Sequence, residues 1–144
     1  MTRFVVDAGV VIHVVSEGIE VAAGNELLAP TLIRSQVLSR LHEAVTTGEL
    51  PADVALTRLR AAWRLPIRLL GDAVLRRRAW DLATSLGWEE TYAAEYLALT
   101  QLQGDAFVTL DDSLASAAAR VVRVASIDAL SMPARGSTEA TARG

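Results

Sequence analysis

The sequence predicts an α/β fold, a three-layer α/β/α sandwich with a central parallel sheet. Short apolar, β-branched runs alternate with longer segments of helical spacing, an order typical of parallel strands joined by helices. The first run is continuously apolar, as expected for a strand that is buried on both faces. With 144 residues, 51% of them hydrophobic, the chain has the length of one domain with a substantial core. We therefore expect a single domain over residues 1–132.

The first half of the chain reads as three strands and three helices. A run of Phe and Val residues predicts the first strand, Pro30 and Thr31 open the second helix, and Gly48 ends it. Pro51 lies at the start of the third helix, where the first turn tolerates proline. The predicted strands cover 3–8, 26–30 and 66–70, and the predicted helices cover 10–16, 31–47 and 51–63.

The second half continues the alternation of helix and strand. Asp72 is placed to cap a helix that Gly87 ends, and Gly104 ends the next helix. The predicted helices cover 73–86 and 90–103, and the predicted strands cover 106–110 and 121–126. From residue 133 the chain is small and polar without an apolar period, so we expect 133–144 to be a disordered tail.

The composition excludes several classes of site. The absence of cysteine removes disulfides, thiolate zinc sites and cysteine nucleophiles, and neither His13 nor His42 has a partner at ligand spacing. A net charge of −3 gives no overall indication that the protein binds a nucleic acid or a membrane. The chain contains no basic leader, and no apolar run reaches the roughly 18 residues that cross a bilayer. We expect a soluble, cytoplasmic protein without membrane contact.

Two acids, Asp7 and Asp111, each follow an apolar strand. In an open parallel sheet, ligands bind at the carboxyl ends of the strands, where the connections diverge. Two carboxylates in one cleft repel each other unless a cation neutralises them, and Mg²⁺ or Mn²⁺ with its oxygen ligands suits that role. The alternative is that an acid after a strand caps the following helix, which is favoured for Asp111 or Asp112 and is weaker for Asp7.

Three motifs occur in a fixed order along the chain: FVVDA, LAPTLIRSQVLSRL and TYAAEYLALTQLQGDAFVTLDDSLA. Their order and spacing resemble the PIN domain, especially the VapC toxins of bacterial toxin–antitoxin pairs, over residues 3 to about 125. The resemblance implies a compact α/β/α sandwich and a Mg²⁺-dependent endoribonuclease that cuts RNA at an acidic cluster. It also implies a homodimer held inactive by a cognate antitoxin of the VapB type.

The catalytic residues of that family carry over only in part. Asp7 matches the first acid of the family, and Asp111 matches the last, with Thr109 as the accompanying hydroxyl. Gln36 and Ala93 stand at the other two acidic positions. The resemblance thus implies a catalytic set at four positions, two of which have lost their charge, and a metal held by Asp7 and Asp111.

The lost charges have consequences for metal and RNA. Gln36 keeps hydrogen-bonding groups without charge, so Mg²⁺ affinity should fall and binding should depend on substrate phosphate. Asp112 is the best spare metal ligand. Arg34 and Arg40 flank Gln36 and are expected, with Thr109, to contact RNA. A further departure from the family is the glycine that follows Asp-Ala at position 9, where a small hydroxyl residue is frequent.

Two functions from different classes remain open on the residues alone. The first is a ribonuclease toxin, active or weakened, and the second is a non-catalytic PIN fold that binds antitoxin, RNA or a second copy of itself. Ala93 itself has two explanations, natural loss and a substitution introduced to silence a toxic nuclease. An apolar strip over Leu56, Leu59 and Trp63 would suit either an amphipathic segment of the antitoxin or a second copy.

Overall fold

A computed structural model describes residues 1–134 and shows a five-stranded sheet in the order β3-β2-β1-β4-β5, with every pair of neighbours parallel. β1 therefore lies at the centre, and buried apolar residues surround it. This arrangement confirms the predicted α/β class with a parallel sheet. The strands are β1 (Thr2–Val6), β2 (Asn25–Pro30), β3 (Ile67–Leu70), β4 (Ala106–Val108) and β5 (Val124–Ala125).

Helices cover the sheet in two groups. The first three pack on one another, α4 packs on α5, and α5 also packs on β1, β2 and β4. Because parallel crossovers are right-handed, the connections that run from β1 to β3 and those that run from β3 to β5 lie on opposite faces. In the described part of the chain the α-helices are α1 (Ala8–Glu17), α2 (Ile33–Thr46), α3 (Ala52–Arg64), α4 (Ala73–Leu86), α5 (Tyr92–Gln103) and α6 (Asp112–Ala118). None of them is long and apolar enough to traverse a bilayer.

The predicted elements are all present, with differences at their ends. The strand predicted over 106–110 stops at Val108, and the one predicted over 121–126 is only two residues long. A 3₁₀ helix (Ile127–Ser131) after β5 was not predicted. The start of the predicted tail is in part structured, because Ala134 is 2% exposed. The remainder of that predicted tail, 135–144, lies outside the described residues.

The chain order of the strands places a switch point beside β1. The connection after β1 leads to β2 on one side, whereas β4 pairs with β1 on the other side, with Val6 opposite Val108. Strand connections therefore diverge at the carboxyl ends of β1 and β4, where a crevice forms in open α/β sheets. Val6 and Val108 are both fully buried, so the residues that follow them emerge from a rigid core.

Candidate functional site

Asp7 leaves the carboxyl end of β1 and begins α1. Its Oδ1 accepts the backbone N–H of Val10 at 3.0 Å, so Asp7 is the N-cap of α1. Its Oδ2 accepts a hydrogen bond from the hydroxyl of Thr109 at 2.5 Å. Asp7 and Thr109 are each 9% exposed. Both oxygens of this carboxylate are therefore held in place, and Asp7 caps its helix, a role for which the signal in the sequence was the weaker one.

Asp111 lies at the end of the neighbouring strand. Its backbone N–H donates to Oγ1 of Thr109 at 3.2 Å, and its own Oδ1 accepts the N–H of Leu114 at 3.0 Å. Asp111 is therefore the N-cap of α6, as the capping alternative predicted. One hydroxyl group, that of Thr109, links Asp7 to the backbone of Asp111. The ends of β1 and β4, which carry the two acids, are thus linked at one edge of the sheet, while the side chain of Asp111 itself lies outside the lining of the cleft beside Asp7.

A cleft of about 680 Å³ opens beside Asp7 and is here called the acidic cleft. It brings together three of the four predicted catalytic positions, Asp7, Gln36 and Ala93, which come from three separate elements. Asp111 is exposed and caps α6, which contributes Leu114 to the lining. The other lining residues are Ala8, Arg40, Gly87, Trp88, Glu89, Glu90, Tyr92 and Tyr96.

Gln36 is oriented by a tyrosine that the sequence did not point to. The hydroxyl of Tyr96 donates to Oε1 of Gln36 at 2.5 Å. Burial raises the pKa of the Tyr96 phenol well above its ordinary value, and the negative charge of Asp7 raises the pKa further, against a lowering by Arg40. Tyr96 is therefore a neutral donor, and the amide nitrogen of Gln36 is left to donate into the cleft. This pair joins residues on α2 and α5, so no local sequence signal could have revealed it.

The two arginines predicted to contact RNA lie in different places. Arg40 lines the acidic cleft, whereas Arg34 lines a separate apolar cavity of about 440 Å³ together with Val11 and Trp63. The reason is helical geometry, because Arg40 is four residues from Gln36 and shares its face, while Arg34 is only two residues away. Asp112, the predicted spare ligand, is exposed in the first turn of α6 and does not line the cleft.

The described residues offer a divalent ion few protein ligands at this cleft. Within residues 1–134, no three Asp, Glu, His or Cys side chains are grouped closely enough to hold a metal. Glu89 and Glu90 line the cleft but complete no such group. Mg²⁺ in phosphoryl-transfer sites is commonly held by one or two carboxylates, with waters and substrate phosphate completing the shell. Asp7 lines the cleft and Asp111 lies outside its lining, so a magnesium ion there would depend on waters and substrate phosphate for most of its shell.

Comparison with solved structures finds matches over most of the chain, and two of them are described here. The first is the crystal structure of PAE2754 from Pyrobaculum aerophilum, with a TM-score of 0.72 and 18% identity over 90% of this chain and 92% of that one. The second is a chain in the crystal structure of VapBC2 from Rickettsia felis bound to a DNA fragment from their promoter, with a TM-score of 0.57 and 12% identity over 87% of this chain and 98% of that one. No family model and no curated protein matches the sequence. At these identities the comparison shows the fold, and it supports the PIN-type fold that the sequence resemblance implied.

Proposed function

We propose that this chain is the toxin of a toxin–antitoxin pair and that it cleaves RNA with the help of Mg²⁺ or Mn²⁺. The observation that carries the proposal is the link from Asp7 through Thr109 to Asp111 at the switch point of the sheet. Two strand ends there present carboxylates at the place where α/β sheets bind ligands. The fold shared with a chain of the VapBC2 structure supports the assignment to this class of toxin.

Each residue in or beside the cleft would have a distinct role in binding the metal or the RNA. Asp7 and Asp111 would hold the divalent ion, which when bound supplies charge stabilisation at the phosphate and an acidified water. Thr109 keeps Asp7 in one orientation. Gln36, fixed by Tyr96, would donate its amide to a phosphate oxygen, and Arg40 would bind phosphate through its planar fork.

Two aromatic side chains favour single-stranded RNA as the substrate. Trp88 and Tyr92 both line the acidic cleft, and Tyr92 is 53% exposed. Exposed aromatic rings beside a phosphate-binding group are the usual platform for unpaired bases, and single-stranded regions are where proteins reach RNA bases.

A partner of the VapB antitoxin type is part of the proposal. The apolar strip on α3 is half exposed, with Leu56 at 49% and Trp63 at 48%. Such a strip suits the apolar face of an amphipathic helix from the antitoxin. A homodimer and a cytoplasmic site of action belong to the same proposal and follow from the family resemblance.

A second candidate is an RNA-binding protein that does not cleave. The observation that favours it is the uncharged pair Gln36 and Ala93, which line the cleft where the family resemblance implies two acids. This candidate keeps Arg40, Trp88 and Tyr92 as RNA contacts and needs no metal.

One comparison separates the two candidates. The wild-type protein and its Ala93→Asp variant are incubated with a labelled single-stranded RNA over a Mn²⁺ titration. Cleavage by either protein that needs Mn²⁺ supports the nuclease, with stronger cleavage expected from Ala93→Asp because the added carboxylate raises metal affinity. The double variant Asp7→Asn, Ala93→Asp controls for contaminating ribonuclease, since asparagine still caps a helix. Binding of RNA without cleavage by either protein supports the second candidate.

A further inference from the structure

We propose that the acidic cleft contains its own cation, the guanidinium of Arg40, which Gly9 admits to the side of Asp7. This inference rests on the proposed function, because it concerns how Mg²⁺ and RNA share the cleft. According to this proposal, the positive charge of Arg40 weakens the binding of a divalent ion beside Asp7, and Arg40 binds RNA phosphate before the metal binds. Arg40 is then the residue that decides the order in which the two ligands enter.

The geometry around Gly9 is the first observation. A Cβ atom at residue 9 would lie 2.9 Å from Nη1 of Arg40 and 3.6 Å from Oδ1 of Asp7. Because both atoms lie so close to one point, they are no more than about 6.5 Å apart, the sum of the two distances. Opposite charges at about this distance stabilise each other. A side chain at residue 9 would therefore crowd this end of the guanidinium and force it to shift.

The conformation of Gly9 is the second observation. Gly9 lies in α1 and is not among the glycines with positive φ in the described chain, which are Gly18, Gly24, Gly48 and Gly87. The backbone at residue 9 therefore suits any amino acid, and glycine is less favourable in a helix than alanine. The absence of a side chain at residue 9 leaves room for the guanidinium of Arg40.

The hydrogen-bonding capacity of Arg40 is the third observation. Among residues 1–134, ion pairs within 4.0 Å join Arg3, Arg68 and Arg77 to acids, and Arg40 belongs to none of them. Arg40 is exposed and lines the cleft, so its five N–H donors remain available to an incoming anion. It is close enough to Asp7 to oppose a metal and free enough to bind a phosphate.

These charges predict how the two ligands interact. A divalent ion beside Asp7 is repelled by Arg40, so in the absence of RNA its affinity is reduced. A bound phosphate engages the guanidinium and adds negative charge, so it removes the repulsion and supplies further oxygen ligands. RNA should therefore bind without metal, and metal should bind well only in the presence of RNA.

Three single variants test the proposal. Arg40→Gln removes the charge, and Gly9→Ala adds a methyl group that crowds the guanidinium and forces it to shift. Arg123→Gln is the matched control, because Arg123 is exposed before β5 and does not line the acidic cleft. Mn²⁺ affinity is measured without RNA by electron paramagnetic resonance, and binding of a labelled single-stranded RNA is measured in EDTA by fluorescence anisotropy. Circular dichroism melting checks that each variant is folded.

We expect Arg40→Gln to bind Mn²⁺ roughly tenfold more tightly, the order of magnitude that the repulsion between charges of +1 and +2 in one cleft gives in a water-like medium. The same variant should bind RNA more weakly in EDTA. Gly9→Ala should shift both affinities in the same directions by a smaller factor. Arg123→Gln should leave Mn²⁺ affinity within about twofold, because its charge is distant and screened.

The outcomes separate this proposal from the nuclease proposal. If Arg40→Gln leaves Mn²⁺ affinity unchanged while Ala93→Asp increases it, Arg40 is not a competing cation and the nuclease proposal stands. If no variant binds Mn²⁺, Ala93→Asp included, the metal-dependent nuclease is refuted and the competition with it. A change in RNA affinity as large in Arg123→Gln as in Arg40→Gln would show a diffuse charge effect and would overturn the role of Arg40.

Discussion

Replacing Thr109 by valine is expected to lower the free energy of unfolding by about 2 kcal/mol, since hydrogen bonds to charged groups contribute roughly 1.5–3 kcal/mol. The hydroxyl donates to Oδ2 of Asp7, a carboxylate that is only 9% exposed, so water replaces the lost donor poorly. Thr109 also accepts the N–H of Asp111 in a partly buried bond between uncharged groups, which contributes less. Most of the effect should therefore come from Asp7.

Urea unfolding at pH 7 measures this loss, with an unchanged dependence on denaturant showing that the folded state stays compact. Thr57→Val is the matched control. The hydroxyl of Thr57 donates to the carbonyl of Asp53 on an exposed helix surface, and its removal should change stability by less than about 0.5 kcal/mol. In an Asp7→Ala background the Thr109→Val change should lose most of its cost, because the acceptor is gone. Equal costs of Thr109→Val with and without Asp7 would refute the link between the two residues.

Three further variants test other contacts. Tyr96→Phe should lower the free energy of unfolding by about 1 kcal/mol at pH 7. Because burial and Asp7 raise the pKa of Tyr96, the stability of the wild type should fall as pH rises above 10.0. An equal fall in the melting temperature of Tyr96→Phe would contradict this. No lysine titrates in that range. Burial also raises the pKa of Glu95 above 4.5, so the ionised carboxylate destabilises the fold as pH rises. Glu95→Gln should therefore be more stable than the wild type at pH 7 but not below pH 4.5, and equal gains at both pH values would contradict this. Gly18→Ala should cost about 1 kcal/mol in urea unfolding because φ is 63° there, and an unchanged midpoint would contradict the left-handed cap.

The parts of the fold that the sequence predicts best are those with local signals. The helix over 73–86 has its predicted bounds because Asp72 caps its first turn and Gly87 takes the left-handed conformation after its last. β4 ends at Val108, earlier than predicted, and the next residue, Thr109, hydrogen-bonds to Asp7, a contact over 102 residues that no local pattern encodes. The last strand is only two residues long because pairing at the edge of a sheet, which no local pattern encodes, sets its length.

In the candidate site, too, the sequence predicts the features that have local signals and misses those that depend on tertiary packing. Asp7 and Asp111 could be placed together because strand order and strand polarity suffice to bring the ends of two parallel strands to one edge. The contact between Gln36 and Tyr96 spans 60 residues and depends on how α2 and α5 pack. The approach of Arg40 to Gly9 depends likewise on the packing of α1 against α2. Such contacts between helices follow from tertiary structure, so sequence reasoning placed Arg34 and Arg40 in one group.

Asp7 and Asp111, the two acids that remain, also stabilise the fold, and this affects how mutations at the site are interpreted. Asp7 and Asp111 each accept a backbone N–H at the start of a helix, and loss of such a cap costs about 1 kcal/mol. A chain that had stopped cleaving RNA would still keep them for stability, whereas acids at positions 36 and 93 would cap nothing, since neither position is an N-cap. Loss of activity in an Asp7 variant therefore mixes chemistry with folding. Cleavage gained by Ala93→Asp could not be explained by lost stability, because an acid in the first turn of α5 favours the helix, and this makes it the more informative result.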